Sequence, residues 1–244
     1  MTPVALILAA GRGRRLGLGP KALVPWDGSA LVVRAVRAAL TARLIPVVTA
    51  GPERERIAAV LADAGHHSTS VVPVHDAELG MSASFRAGVA AIGSVQDGVP
   101  VRGGGVAEGP SPPAGGTIPV VIMLVDQPGV GAAVLTRLCG HFANRSGRVV
   151  RAAWSDTPGH PVVMTLAQAR QAAELATGDA AGREWMMRHR HLVDPVDCSD
   201  IGSGEDIDTP TDLLRWQSRR AQGLVQRHTP PRDPLALQPP ESVA

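Results

Sequence analysis

Tyrosine is absent from this 244-residue chain, and aromatic residues make up only 2% of it. Modules that read single-stranded nucleic acid stack bases on aromatic side chains, so this composition argues against that mode of recognition. Cysteine is almost as scarce. Cys139 and Cys198 are the only two. They stand far apart, without metal-ligand or redox spacing, so neither a zinc module nor a disulfide framework is expected and both thiols should be reduced. No apolar run approaches the ~18 residues of a membrane span. Pro3 to Ala10 has the look of a signal-peptide core, but no basic segment precedes it and arginines follow at once, the reverse of the required order. A soluble, cytoplasmic protein is the expectation, with no membrane partner. Strong charge is missing too. The formal net charge is +2, and Arg215, Arg219, Arg220, Arg227 and Arg232 near the C-terminus account for the excess. The rest of the chain lacks a basic face for nucleic acid.

What the chain has is apolar residues, 44% of the total, enough for one sizeable α/β core. The stretch that organises it runs from Val4 to Lys21, VALILAAGRGRRLGLGPK. Val4 to Leu8 has the length and branching of one buried parallel strand. Gly11, Gly13, Gly17 and Gly19 break it, and Arg12, Arg14, Arg15 and Lys21 stand in or beside the glycine turn. A strand, a glycine loop and cationic side chains together describe a phosphate cradle at the carboxyl edge of a sheet. A P-loop would need Ser or Thr after Gly-Lys, whereas Pro20, Lys21 and Ala22 follow Gly19. A dinucleotide fingerprint would need glycine where Leu16 stands and an acid about twenty positions on, where Val33 to Arg37 offer none.

Downstream, the apolar spacing predicts a helix over Ala30 to Leu44 capped by Ser29, with Leu31, Val32, Ala35, Val36, Ala39 and Leu40 in the core. A strand over Ile45 to Thr49, a helix over Glu53 to Ala64 and a strand over Ser70 to Val74 follow. Such alternation argues for a Rossmann-like, mostly parallel, doubly wound sheet. Gly80 precedes a helix with Ser82 and Ser84 at its start and Arg86 one turn in; on spacing alone this is a capped helix with a solvated arginine. Residues 93–117 turn to Gly, Pro and Ser without apolar period and read as a long mobile insertion. Pro119 to Val125 is the most apolar strand and the expected centre of the sheet. It ends at Asp126, where a carboxylate faces the ligand crevice of α/β folds, although an Asp opening a turn is common. Near the end, Thr209 and Pro210 open a helix as cap and first-turn residue. The chain divides into a domain over 1–217 and a proline-rich flexible tail over 218–244.

Five blocks carry a resemblance: Leu8, Ala9, Ala10, Gly11, Gly13, Arg15, Gly17, Pro20 and Lys21; the run from Gly80 to Gly88; Leu124-Val125-Asp126-Gln127-Pro128; Gly159-His160-Pro161; and Asp206 to Leu213. Together they resemble the nucleotidyltransferase superfamily, most closely the branch of molybdenum cofactor cytidylyltransferases, with Ala83 and Phe85 as departures. The resemblance implies that the loop, from Leu8 through Gly13, wraps a nucleoside triphosphate, with Arg15 and Lys21 on its phosphates. It implies that Ser82 and Ser84 lie beside the nucleotide, that His160 shapes the acceptor side, and that Asp126 and Asp208 share Mg2+. It further implies CTP as the favoured nucleotide, because related guanylyltransferases show L-A-G-G where Leu8-Ala9-Ala10-Gly11 stands. The acceptor implied is molybdopterin, and the partner implied is a molybdoenzyme or chaperone met transiently. Other phosphorylated acceptors, a nicotinamide-nucleotide oxidoreductase and a nucleotide-binding regulator without turnover stay open.

Overall fold

The first strand, β1 (Val4–Leu8), shows how the sheet is built, because its side chains are buried on both faces. Ala5 and Ile7 enter one core and Leu6 and Leu8 the other, the alternation expected of a strand covered on both sides. A computed structural model of the protein describes residues 2–96, 118–145 and 147–221. In it β1 lies parallel to β4 (Ile45–Ala50) on one side and β6 (Pro119–Leu124) on the other, with Leu8 level with Thr49 and Leu124. Two short strands, β2 (Pro25–Trp26) and β3 (Ser29–Ala30), form a separate antiparallel hairpin. With β5 (Ser70–Pro73), β7 (Val149–Trp154), β8 (Thr157–Thr165) and β9 (Val193–Asp197), the main sheet has seven strands in the order β5-β4-β1-β6-β8-β7-β9. The sheet is mostly parallel and flanked by helices, as expected, and β6 is its middle strand.

Two departures matter. β8 runs antiparallel to β6 and β7. Ser155 and Asp156 reverse the chain between β7 and β8 with φ of 47° and 69°, the left-handed pair a two-residue hairpin needs. This reversal carries the N-terminal half of β8 to the edge where the parallel strands end. The second departure is at Ser29, which lies in the β2–β3 hairpin and caps nothing. Helix α1 (Leu31–Thr41) starts after Ala30 without a side-chain cap. Its core face includes Val33, 1% exposed, while Leu40 is 44% exposed and lies outside the core.

Helices α1 and α4 (Ala132–Ala143) cover one face through Leu31, Val36, Leu135 and Leu138. Helices α3 (Met81–Gln96), α5 (Leu166–Leu175) and α6 (Arg183–Arg188) cover the other through Phe85, Val89, Ala169 and Trp185. Burying each large apolar side chain stabilises the fold by roughly 1.5–3 kcal/mol. At Gly88 the backbone of α3 presses on β1 so closely that a Cβ would stand 2.2 Å from Leu6 Cδ1. Helix α2 (Arg54–Asp63) packs beside β5 through Ile57 and Leu61. The last helix, α7 (Pro210–Ala221), is fixed by a box in which Thr209 Oγ1 accepts from Asp212 N and Asp212 Oδ2 accepts from Thr209 N. It docks through Trp216, whose ring meets Trp26 edge-on at 5.8 Å. Helix α3 extends past Gly93 and α7 past Gln217, so residues 97–117 of the expected insertion and 222–244 of the expected tail lie outside the described residues. No helix among the described residues is long and apolar enough to cross a membrane.

Candidate active site

The loop after β1 is held from below by Leu16, only 1% exposed and part of the α1-side core. Gly13 O accepts hydrogen bonds from Leu16 N and Gly17 N, both at 3.1 Å, which folds the loop back on itself. Gly13 has φ of +60°, and a Cβ there would stand 2.1 Å from Gly19 O. No other residue fits that position. Gly17 and Gly19 also have positive φ, so successive N–H groups can turn toward one anion. Ala9 and Ala10 are buried, Ala9 N donating to Thr49 O at 3.1 Å. Ala10 packs with Val74 and Ala83. A Cβ at Gly51 would come within 3.3 Å of Ala10 O, so the end of β4 closes tightly against the loop. Gly11 lies exposed at the loop's start.

Lys21 opens a single 3-10 turn directly after Pro20 and points into the crevice with its side chain 15% exposed. Its Nζ donates to Asp126 Oδ2 at 2.5 Å and also to Asp208 Oδ1. Arg15 reaches the same group, with Nη2 3.0 Å from Asp208 Oδ2. The four residues expected to do chemistry therefore meet at one point, although 187 positions separate Lys21 from Asp208. Burial pulls the Lys21 pKa down, but the charges and hydrogen bonds of Asp126 and Asp208 outweigh it and raise it.

The loop carrying Asp208 is fastened to the loop carrying Asp126. Ile207, fully buried between two aspartates, donates its N–H to Asp126 O at 2.9 Å, and Ser203 N donates to Gly129 O at 3.3 Å. Gln127 Nε2 donates to Gly204 O at 3.0 Å. Asp206 completes the acidic group. Burial, then the charge of Asp126, pushes its pKa up to about 6, against hydrogen bonding from Gln127. Sequence reasoning did not single out Gln127 or Asp206. The repeated aspartates of Asp206-Ile207-Asp208 were the available signal for Asp206; nothing in the sequence marks Gln127 beyond its place between Asp126 and Pro128.

The other expected residues lie on α3 and β8. Ser82 and Ser84, 1% and 5% exposed, are packed into the first turn of α3, where Ser82 N donates to Gly178 O at 2.9 Å. The residue of that turn facing the loop is Ala83, against Ala10. His160 lies on β8, and its carbonyl accepts from Trp154 Nε1 at 3.2 Å. Its Nε2 is shielded from solvent and lacks a partner. Burial and the neighbouring Arg151 charge lower the imidazole pKa to about 4, so it is neutral at pH 7. Arg86 turns from the crevice to donate to Ala176 O at 2.6 Å, at the end of α5.

This architecture recurs in known proteins. A nucleotidyl transferase from Methanothermobacter thermautotroptrophicus superposes with a TM-score of 0.67 at 22% identity, covering 91% of this chain and 99% of its own. A Mycobacterium tuberculosis protein solved as a complex with manganese superposes with a TM-score of 0.57 at 22% identity, over 88% of this chain and 97% of its own. In sequence, the nicotine blue oxidoreductase of Paenarthrobacter nicotinovorans is 34% identical over 217 residues, 86% of this chain and 94% of that protein. The pattern of the MobA-like NTP transferase domain matches residues 5–193, from β1 to the start of β9, and the chain belongs to that nucleotidyltransferase family.

Proposed function

We propose that this protein transfers a nucleoside monophosphate, with CMP favoured, from a nucleoside triphosphate to a phosphorylated acceptor of the molybdopterin class, releasing pyrophosphate. The observation that carries the reading is the convergence of Asp126 and Asp208 on a single cationic position at the carboxyl ends of parallel strands. Carboxylate oxygens that already share an ammonium are hard donors aimed at one point, which suits a divalent ion of the Mg2+ type. No group of three or more His, Cys, Asp or Glu among the described residues is placed to hold a metal. Two carboxylates fit an ion whose remaining positions go to phosphate oxygens and water, as Mg2+ prefers. The manganese complex of the Mycobacterium tuberculosis neighbour supports a divalent ion. Asp126 and Asp208 would hold such an ion, which would supply positive charge to the triphosphate.

The chain's own groups do the rest. The glycine loop offers N–H donors to the phosphates. Arg15, with its side chain 73% exposed, is free to move onto them, and Lys21 can turn from the carboxylates to the same oxygens. An oxygen of the acceptor phosphate attacks the α-phosphorus, the bond to the β-phosphate oxygen breaks, and pyrophosphate leaves. An ionised phosphate has no proton to lose, so no general base is required, and catalysis is positioning and charge stabilisation. Ser82 and Ser84 hold the start of α3 beside the nucleotide, and neutral His160 shapes the acceptor side.

A second reading has one observation in its favour, the oxidoreductase name of the Paenarthrobacter relative. Against it, β4 ends at Ala50 and Gly51 follows, where a dinucleotide site needs an acid for the ribose. The test is a panel of pyrophosphate-release assays pairing CTP, GTP, ATP and UTP with molybdopterin and other phosphorylated acceptors in Mg2+, run beside NADH and NADPH oxidation. Pyrophosphate release, greatest with CTP and molybdopterin, is the expected result. Oxidation of a nicotinamide nucleotide without pyrophosphate release from any pair would overturn the proposal.

A further inference from the structure

We infer that Gln127 is a positioning residue that sets the separation of Asp126 and Asp208, and that it occupies the core for this purpose at a cost to stability. The inference rests on the metal-dependent transfer proposed above. Gln127 is 7% exposed, one of few polar residues buried in the described part of the molecule. Its amide nitrogen faces the 202–208 loop, donating to Gly204 O at 3.0 Å across 77 positions of sequence. Its carbonyl oxygen, Oε1, is buried with no partner.

A buried amide that satisfies only its donor end is a poor stabiliser, because the acceptor end has given up water for nothing. A methionine of similar length would fill the same space without that loss. The donor end explains the placement. It bonds the loop at Gly204, shortly before Asp208, so that stretch of chain is located relative to Asp126. Backbone bonds from Ser203 N and Ile207 N flank the clasp, and Gln127 is the side chain that joins them. The far side of the loop is also limited. A Cβ at Gly204 would fall 2.0 Å from Trp154 Nε1 and one at Gly202 2.7 Å from Gly129 O. Steric contact keeps the loop from moving closer to β7, and the Gln127 bond to Gly204 keeps it from moving away. Groups that orient the ligands of a metal without touching it typically change its affinity about 10- to 100-fold when removed.

The experiment compares full-length wild type, Q127M and Q127A, with D126N and D208N as controls. It measures Mn2+ binding by electron paramagnetic resonance without nucleotide, Tm, and kcat and KM for CTP. We expect Q127M to keep or raise Tm, to bind Mn2+ about tenfold more weakly, and to lose kcat in similar measure with little change in KM. Q127A should show the same loss of affinity together with a lower Tm from the space it leaves. Wild-type Mn2+ affinity and kcat in Q127M would overturn the inference. So would weaker binding in Q127M that only accompanies a fall in Tm, which marks a packing role. If D126N and D208N bind Mn2+ like wild type, the metal reading itself fails and this one with it. Loss of binding in those controls with none in Q127M rejects the clasp alone.

Discussion

Two groups of charges, one at the central strands and one at the β9 edge of the same sheet, are built on different terms. At the β9 edge, Arg148 Nε donates to Asp194 Oδ2 at 2.6 Å and Arg145 Nη1 to the same oxygen at 3.4 Å, while Arg137 grips both oxygens of Asp200 at 2.5 and 2.8 Å. Asp194 and Asp200 each have a guanidinium partner, and the hydrogen bonds of Arg148 to Asp194 and of Arg137 to Asp200 hold both acids below the usual carboxylate range. In the crevice, one ammonium is divided between Asp126 and Asp208, and a third carboxyl, Asp206, is pushed up to about 6. The edge is balanced and stabilises itself. The crevice holds more acid than its cations match, an arrangement suited to receiving further positive charge.

Three substitution experiments would break or sharpen that contrast. The largest effect is expected at Asp126 and Asp208, where the Asn variants should lower pyrophosphate-forming turnover by about two orders of magnitude or more. Because one acid of a crowded group is removed and Lys21 keeps a partner, their Tm should hold or rise. A large drop in Tm would show that the crevice acids are structural after all. An intermediate effect is expected at Ala10, whose methyl lies among Val74 and Ala83. One methyl in a pocket is worth about 1–3 kcal/mol, so wild type should favour CTP over GTP in kcat/KM by roughly ten- to two-hundred-fold, and A10G should narrow the gap. Equal use of the two by wild type would sink the assignment of CTP. The smallest effect is expected at the edge. D194N leaves Arg145 and Arg148 without that partner and should lower Tm slightly at pH 7. Since the folded pKa of Asp194 is depressed, its contribution is complete above the unfolded value of about 4 and is lost as pH falls through the folded one. The Tm gap between wild type and D194N should therefore close in acid; a gap that persists there would mean the loss is one of packing.

Much of this was legible in the sequence, where local chemistry leaves few choices. A five-residue apolar run, four of its residues branched, leading into a glycine-rich turn can be little else than a buried strand feeding a loop, and Gly13 is required because no Cβ fits beside Gly19 O. The middle position of β6 was likewise legible, because a strand apolar on both faces must be covered on both. The helix cap at Thr209 follows from hydroxyl chemistry acting within one turn. Tertiary structure decided what depends on groups distant in sequence. Ser29 looked like a cap, but pairing with Trp26 took it into a hairpin. Leu40 kept helical spacing yet faced outward, because the angle at which α1 lies on the sheet chose the face. The reversal of β8 rests on two left-handed residues, Ser155 and Asp156, neither of them glycine or asparagine, so the turn gave little local sign. The sharing of one ammonium by Asp126 and Asp208, and the clasp of Gln127 on Gly204, arise only when two strand ends and a docked C-terminal helix meet. Strand and turn propensities act over a few residues, whereas the distance between two carboxylates is set by everything packed beneath them.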